Sequence, residues 1–210
     1  MWVPPSGLLQ DSKDETQKLL IETGRWLNAK VLLFFSFFGT IEKNKPMTEV
    51  SISEQLKSAA PNLALGIVSA SVSVSQHDDL LWREIDERIE KITSEITLDA
   101  VGDVPQLKAL RDAYKSIGKD PLRYRGSAEA LVRRILQGKG LYKVNTVVDI
   151  NNLVSLETLQ SVGSYDLSKL KPPIVFGIGT SKESYKGIGK ETINIAKLPV
   201  FTDTIGPFGS

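Results

Sequence analysis

Val144-Asn145-Thr146-Val147-Val148-Asp149-Ile150-Asn151-Asn152 is the stretch on which the reading of the fold turns. Its β-branched residues favour extended chain, because they lose χ1 freedom in a helix and pack well on a pleated surface. The pattern predicts a strand over Val144–Ile150 that runs into a cluster of short amide and carboxylate side chains. Asn and Asp at such a point can fold back on the backbone as a turn or helix cap. They can equally aim amide donors and acceptors at a ligand. Residue chemistry alone leaves both roles open.

Upstream of this stretch the periodicity is helical. Ile85, Ile89, Ile92 and Ile96 recur at three-to-four spacing and predict one helix. Asp103-Val104-Pro105-Gln106 predicts the start of a second, with Asp as cap, Pro in the first turn and Gln at the capping-box position. Leu107, Leu110, Tyr114 and Ile117 form its inner face and Gly118 stops it. Ser127 opens a third, carrying Leu131, Ile135 and Leu136 and closing near Gly138. Before all of these, Val68, Ala70, Val72 and Val74 alternate with serines, so Leu65–Ser75 reads as a half-buried strand. Downstream of Lys143 come short strands at Ile174–Ile178, Ile193–Ala196 and Leu198–Phe201, punctuated by Gly and Pro. Strands, then helices, then strands again predict an α+β domain with a mixed or antiparallel sheet and packed helices.

Residues 1–46 read as a separate extension and 47–210 as the domain proper. Ser12-Lys13-Asp14-Glu15 has capping-box spacing, and Leu19, Leu20, Ile21, Trp26 and Leu27 supply an apolar face, so a helix is expected there. The run Val31-Leu32-Leu33-Phe34-Phe35-Ser36-Phe37-Phe38 is eight residues long, against the about 20 a membrane helix needs. It lies behind an acidic stretch, unlike a secretory signal, and is expected to be a buried strand. A cytoplasmic protein without membrane attachment is the expectation.

The 210 residues carry no cysteine and a single histidine, His77, which excludes disulfide frameworks, cysteine nucleophiles and multi-histidine metal sites. No metal or other cofactor is expected. The net charge of +1 is unevenly spread. Gln76–Asp103 holds nine acids and three bases, and Val104–Lys143 ten bases and three acids, so a segment six units negative precedes one seven units positive. The basic stripe could attract a phosphate backbone. Alternatively, two solvated helices set opposite charges facing each other.

Other motifs carry less. Gly177-Ile178-Gly179 and Gly187-Ile188-Gly189 lack the third glycine and the following helix of a phosphate loop, so they read as turn glycines. His77 has no G-x-S-x-G partner and reads as a surface residue near a helix start. Trp82 and Tyr114 read as core or groove residues. Arg123-Tyr124-Arg125 places two guanidiniums around an aromatic, which suits phosphate contact and base stacking.

Three segments then occur in a telling order: Ser127-Ala128-Glu129-Ala130-Leu131-Val132-Arg133-Arg134-Ile135-Leu136, Val144–Asn152, and Tyr165-Asp166-Leu167-Ser168-Lys169-Leu170. Over about residues 60–210 the chain resembles the B3/B4 domain of the phenylalanyl-tRNA synthetase beta subunit. Ala109-Leu110-Arg111-Asp112-Ala113-Tyr114, Gly118-Lys119-Asp120-Pro121 and Arg125 resemble its free-standing relatives. The resemblance implies an α+β, B3/B4-like domain that binds tRNA or aminoacyl-tRNA and is related to a domain that hydrolyses mischarged tRNA. It places Asn151 and Asn152 at a Thr/Ser-Asn pair of the editing pocket, and Gly206 and Gly209 on a loop that shapes the pocket. With Asn145 these are the candidate substrate-binding residues. Arg123, Tyr124, Arg125, Arg133 and Arg134 are the candidate RNA-binding residues. Asp149 and Asp166 match acidic positions expected to hold the fold.

The chain departs from the pattern. The family's editing histidine, eleven residues after Asn152, falls at Gly163. An editing glutamate would lie beyond Ser210, so the chain is expected to stop inside the final loop. No catalytic residue is assigned, and full aminoacyl-tRNA ligase activity is not expected. Editing in trans would then rest on Asn151 and Asn152 holding substrate or water and on backbone amides near Gly206 facing the oxyanion. The alternatives are a non-catalytic tRNA or amino-acid-binding module, or a protein-interaction scaffold.

Overall fold

The computed structural model describes residues 17–25, 50–181, 183–186 and 192–210. Its first half runs β1 (Gln17–Arg25), β2 (Val50–Ile52), α1 (Glu54–Ala59), β3 (Ala64–Val72), α2 (Asp79–Glu95), α3 (Pro105–Ser116) and α4 (Ser127–Leu136). Then follow α5 (Thr146–Thr158), β4 (Val162–Asp166), β5 (Ile174–Ile178), β6 (Ser184–Lys186), β7 (Thr192–Asn194), β8 (Pro199–Thr202) and β9 (Pro207–Gly209). The α+β class stands.

The segment Thr146–Asn152, expected as the end of a strand, is a helix. Asn145 is the N-cap of α5, its Oδ1 accepting the Val148 N–H at 3.0 Å. The Thr146 N–H donates to the Ser75 carbonyl at 2.9 Å, tying the helix start to the chain just beyond β3. α5 packs on α2 and α4 as well as on β4, and its most buried positions are mostly polar (Thr146, Asp149, Asn151 and Ser155, beside Leu156), so no apolar stripe of helical period appears. A short β-branched run then looks the same as a buried strand. The cap decided it.

Three further expectations change. The helix expected within residues 1–46 gives way, over Gln17–Arg25, to β1, the middle strand of an antiparallel sheet ordered β3-β1-β4. Ile21 stands opposite Val68 on one side and Ser164 on the other. Pairing on both edges satisfies backbone groups of β3 and β4, and this outweighs a local capping signal. The run Val31–Phe38 lies outside the described residues, as does Gly187-Ile188-Gly189. Val104, not Asp103, caps α3. The residue before a proline is driven to extended chain, and with Pro105 at the first helical position the boundary falls at Val104. Gly177 lies inside β5 rather than in a turn.

The second sheet is mixed, ordered β2-β5-β8-β9, with β2 parallel to β5 and the other pairs antiparallel. A short antiparallel pair joins β6 and β7. The two larger sheets meet through side chains. Leu65 and Ile67 of β3 and Tyr165 of β4 pack with Phe176, Phe201 and Phe208 of the mixed sheet. The Tyr165 ring lies 5.8 Å from Phe201 and 5.1 Å from Phe208, the latter edge-on. A separate helical core joins Ile92, Leu107, Ala128, Val132, Ile135 and Leu156 of α2 to α5. Each large aliphatic side chain there contributes about 1.5–3 kcal/mol when fully buried. Among the described residues, no helix is long and apolar enough to cross a membrane.

Candidate functional site

Two groups of candidate residues are built on different elements. The first surrounds β4. Asn151, buried on α5, donates from Nδ2 to the Ser164 Oγ of β4 at 2.5 Å. Its Oδ1 is buried without a hydrogen-bond partner among the described residues. Gly163 precedes Ser164, and a Cβ there would come within 3.2 Å of the Tyr165 hydroxyl. Gly209 of β9 packs so closely on the Tyr165 ring that any Cβ would collide with it. Asn151, Gly163 and Gly209 therefore converge around β4. Asn152 follows on α5, half-buried.

Other residues of the motif do structural work. Asn145 spends its side-chain oxygen on the α5 cap. Asp149, 0% exposed, accepts from Trp82 Nε1 at 2.8 Å and from the Val144 N–H at 3.4 Å, joining α5 to α2. Burial pushes its carboxyl above the ordinary value, and the hydrogen bonds from Trp82 and Val144 offset this only in part. Asp166 caps the short 3-10 turn Leu167–Lys169 by accepting the Ser168 N–H at 2.9 Å. Both acids hold the fold, as expected.

The loop before β9 departs from the editing scheme. The Ile205 and Gly206 N–H groups both donate to Asp203 Oδ1, at 2.8 and 3.1 Å, and Asp203 Oδ2 accepts the Lys171 N–H at 2.8 Å. The backbone amides expected to face an oxyanion are thus occupied by a carboxylate. Gly206, at φ +147°, allows this turn, which an L side chain rarely adopts.

The second group lies on the turn after α3 and on α4. Arg133 Nε donates to the buried Glu129 carboxylate at 2.7 Å, and Arg111 grips it through two N–H groups at 2.8 and 2.6 Å. Arg125 stands 3.7 Å from the same carboxylate with its side chain 46% exposed. Burial pushes Glu129 up, but the hydrogen bonds and charges of Arg111 and Arg133 outweigh it and hold the carboxyl below its ordinary value. Arg134 stacks over the Tyr142 ring at 3.9 Å and donates to the Lys139 carbonyl at 3.3 Å. Arg123 is exposed, with Tyr124 beside it and Lys119 Nζ 3.8 Å above the Tyr124 ring.

Among the described residues no ion pair links the acids of α2 to the bases of residues 104–143. Within the basic stretch, Asp112 takes Lys108 and Lys115, and Glu129 takes Arg111, Arg125 and Arg133. Lys119, Arg123, Arg134, Lys139 and Lys143 form no ion pair with a described residue. His77 sits at the surface before α2, Nε2 2.9 Å from Asp79.

Two residues that sequence reasoning left out adjoin this turn. Lys119 and Lys197 line the same open cleft as Arg123 and Tyr124, a hollow of about 500 Å³. Lys119 lies in a segment quoted for its family likeness, but nothing local marks Lys197, whose neighbourhood depends on the mixed sheet. Residues 109–209 match the family model described as the B3/4 domain, a narrower span than the resemblance seen over 60–210. Searches of curated proteins and of solved structures found no match.

Proposed function

We propose, from the match of residues 109–209 to the B3/4 domain model, that the chain is a B3/4 domain protein that binds tRNA. The observation that carries this reading is the exposed turn of Arg123, Tyr124 and Arg125 inside a basic stretch with five cations free of ion pairs to described residues. An unpaired guanidinium beside an aromatic is suited to phosphate contact with base stacking. Arg123, Tyr124, Arg125 and Arg134 form the contact surface, and Arg133 supports it by staying on Glu129. The family likeness to a synthetase editing domain makes tRNA the favoured nucleic acid. Arg123→Ala with Arg125→Ala is expected to weaken tRNA affinity and to flatten its salt dependence. An affinity equal to the parent at every salt concentration would remove this surface from the account.

A second reading, hydrolysis of mischarged aminoacyl-tRNA in trans, draws support from the Asn151 Oδ1, buried and without a partner among the described residues. Such an acceptor suits a substrate amine or a water. Against it stand Gly163 at the histidine position and the amides held by Asp203. A deacylation screen over mischarged tRNAs separates the readings. Turnover lost in Asn152→Ala, with RNA affinity kept, would establish the hydrolase. Decay at the buffer rate with tRNA bound leaves the binding module.

A further inference from the structure

The cleft beside the Lys119–Tyr124 turn gathers cations from two distant parts of the chain. Lys119 and Arg123 come from the turn after α3, and Lys197 from the loop between β7 and β8. None of the three forms an ion pair with a described residue. Among the described residues lining the cleft the one carboxylate, Asp120, accepts the Leu122 N–H at 2.9 Å. Glu183, bonded to the lining Thr180, accepts that residue's N–H and hydroxyl at 2.9 Å, so each acid serves its own turn.

The backbone holds these groups in place. Lys197 adopts φ +58° and Gly118 φ +79°, so both chain segments reverse sharply at the rim. The Lys197 Nζ lies against Gly118, 3.5 Å from where a Cβ would stand. The Lys197 N–H donates to the Gly179 carbonyl at 2.8 Å, and the Gly179 N–H donates to the Leu198 carbonyl at 2.9 Å. A Cβ on Gly179 would strike the Ile195 carbonyl, so the floor admits only glycine. On that floor the exposed Ser181 hydroxyl makes no hydrogen bond to a described residue.

Three like charges lining one open hollow repel one another unless an anion joins them. From this geometry we infer that the cleft is a phosphate-binding site, with Lys119, Arg123 and Lys197 as its cations and the Ser181 hydroxyl as a neutral donor. Charge-assisted bonds to phosphate oxygens suit this set. The phosphate belongs either to a nucleic-acid backbone, in which case the site rests on the tRNA-binding reading, or to a small phosphate compound.

The test uses the full chain with Lys119→Gln, Lys197→Gly and the double variant. Glycine suits the left-handed backbone at residue 197, and Lys119→Gln stands alone if the other variants fail to fold. Two probes are measured: a tRNA transcript by fluorescence anisotropy across salt, and inorganic pyrophosphate by calorimetry. If the cleft holds RNA phosphates, the double variant lowers the salt slope by about 1.4–1.8, at about 0.7–0.9 for each phosphate no longer neutralised. If pyrophosphate binds the parent and not the double variant while tRNA is ignored, the site stands and the tRNA reading falls. If tRNA binds with an unchanged slope and pyrophosphate does not bind, the site is overturned and the tRNA reading survives. Binding of neither probe by the parent overturns both.

Discussion

At Glu129 a carboxylate only 2% exposed accepts two N–H groups from Arg111 and one from Arg133. Removing its charge would leave guanidiniums partly buried without an answering anion. Glu129→Gln is therefore expected to cost about 3 kcal/mol at neutral pH, the low end for breaking a buried pair, as read by chemical denaturation. Its pH dependence follows from the same contacts. An acid held below its ordinary value when folded stabilises above the unfolded value, 4.5, and loses that contribution as pH falls through the folded one. The variant should accordingly lose less stability than the parent on acidification below 4.5. Asp149 works in the opposite direction. Raised by burial when folded, it contributes most below 3.8 and loses that as pH rises through its raised value. Trp82→Phe removes the donor to this buried carboxylate and is expected to cost about 1–3 kcal/mol. A melting curve unchanged from the parent would show that the Trp82–Asp149 bond does not tie α2 to α5.

The element that most tests sequence reasoning is α5. Its start is an amide cap of the kind Asn favours, and Asn145→Ala should cost about 1 kcal/mol, while Asn145→Asp should be nearly neutral. If Asn145→Ala instead left stability intact and abolished ligand binding, the cap assignment would be wrong. The α2–α4 helices were legible because each buries one face, which preserves the three-to-four period of Ile85, Ile92, Leu107 and Ile135. α5 was not, because Thr146, Asp149, Asn151 and Ser155 take most of its buried positions and leave no apolar stripe of that period. β1 was illegible for a related reason, since its place is set by pairing with β3 and β4 rather than by local chemistry. β9 shows the same dependence on distant partners. Gly209 is small because the Tyr165 ring of β4 occupies the space of a side chain. Gly209→Ala should therefore cost about 1–3 kcal/mol through overpacking, measurable by thermal unfolding.

Across the whole molecule, the +1 net charge conceals a division that the fold makes useful. The basic stripe was visible along the chain. The long reach from Arg111 to Glu129 was not, so the sequence alone could not say which arginines stay free. The cleft was hidden more completely, since Lys197 meets Lys119 and Arg123 only after the mixed sheet has formed. Of the candidate pocket residues, Asn151 and Gly209 both meet β4, while the Ile205 and Gly206 amides turn to Asp203. The proposed binding rests on this arrangement more directly than catalysis would. The measurement that tests it most directly is tRNA affinity of the intact chain between about 50 and 200 mM salt, the range over which phosphate contacts reveal themselves. The expected result is saturable binding that weakens linearly in log affinity against log salt. No measurable binding at the lowest salt would contradict the account and favour a protein-interaction scaffold.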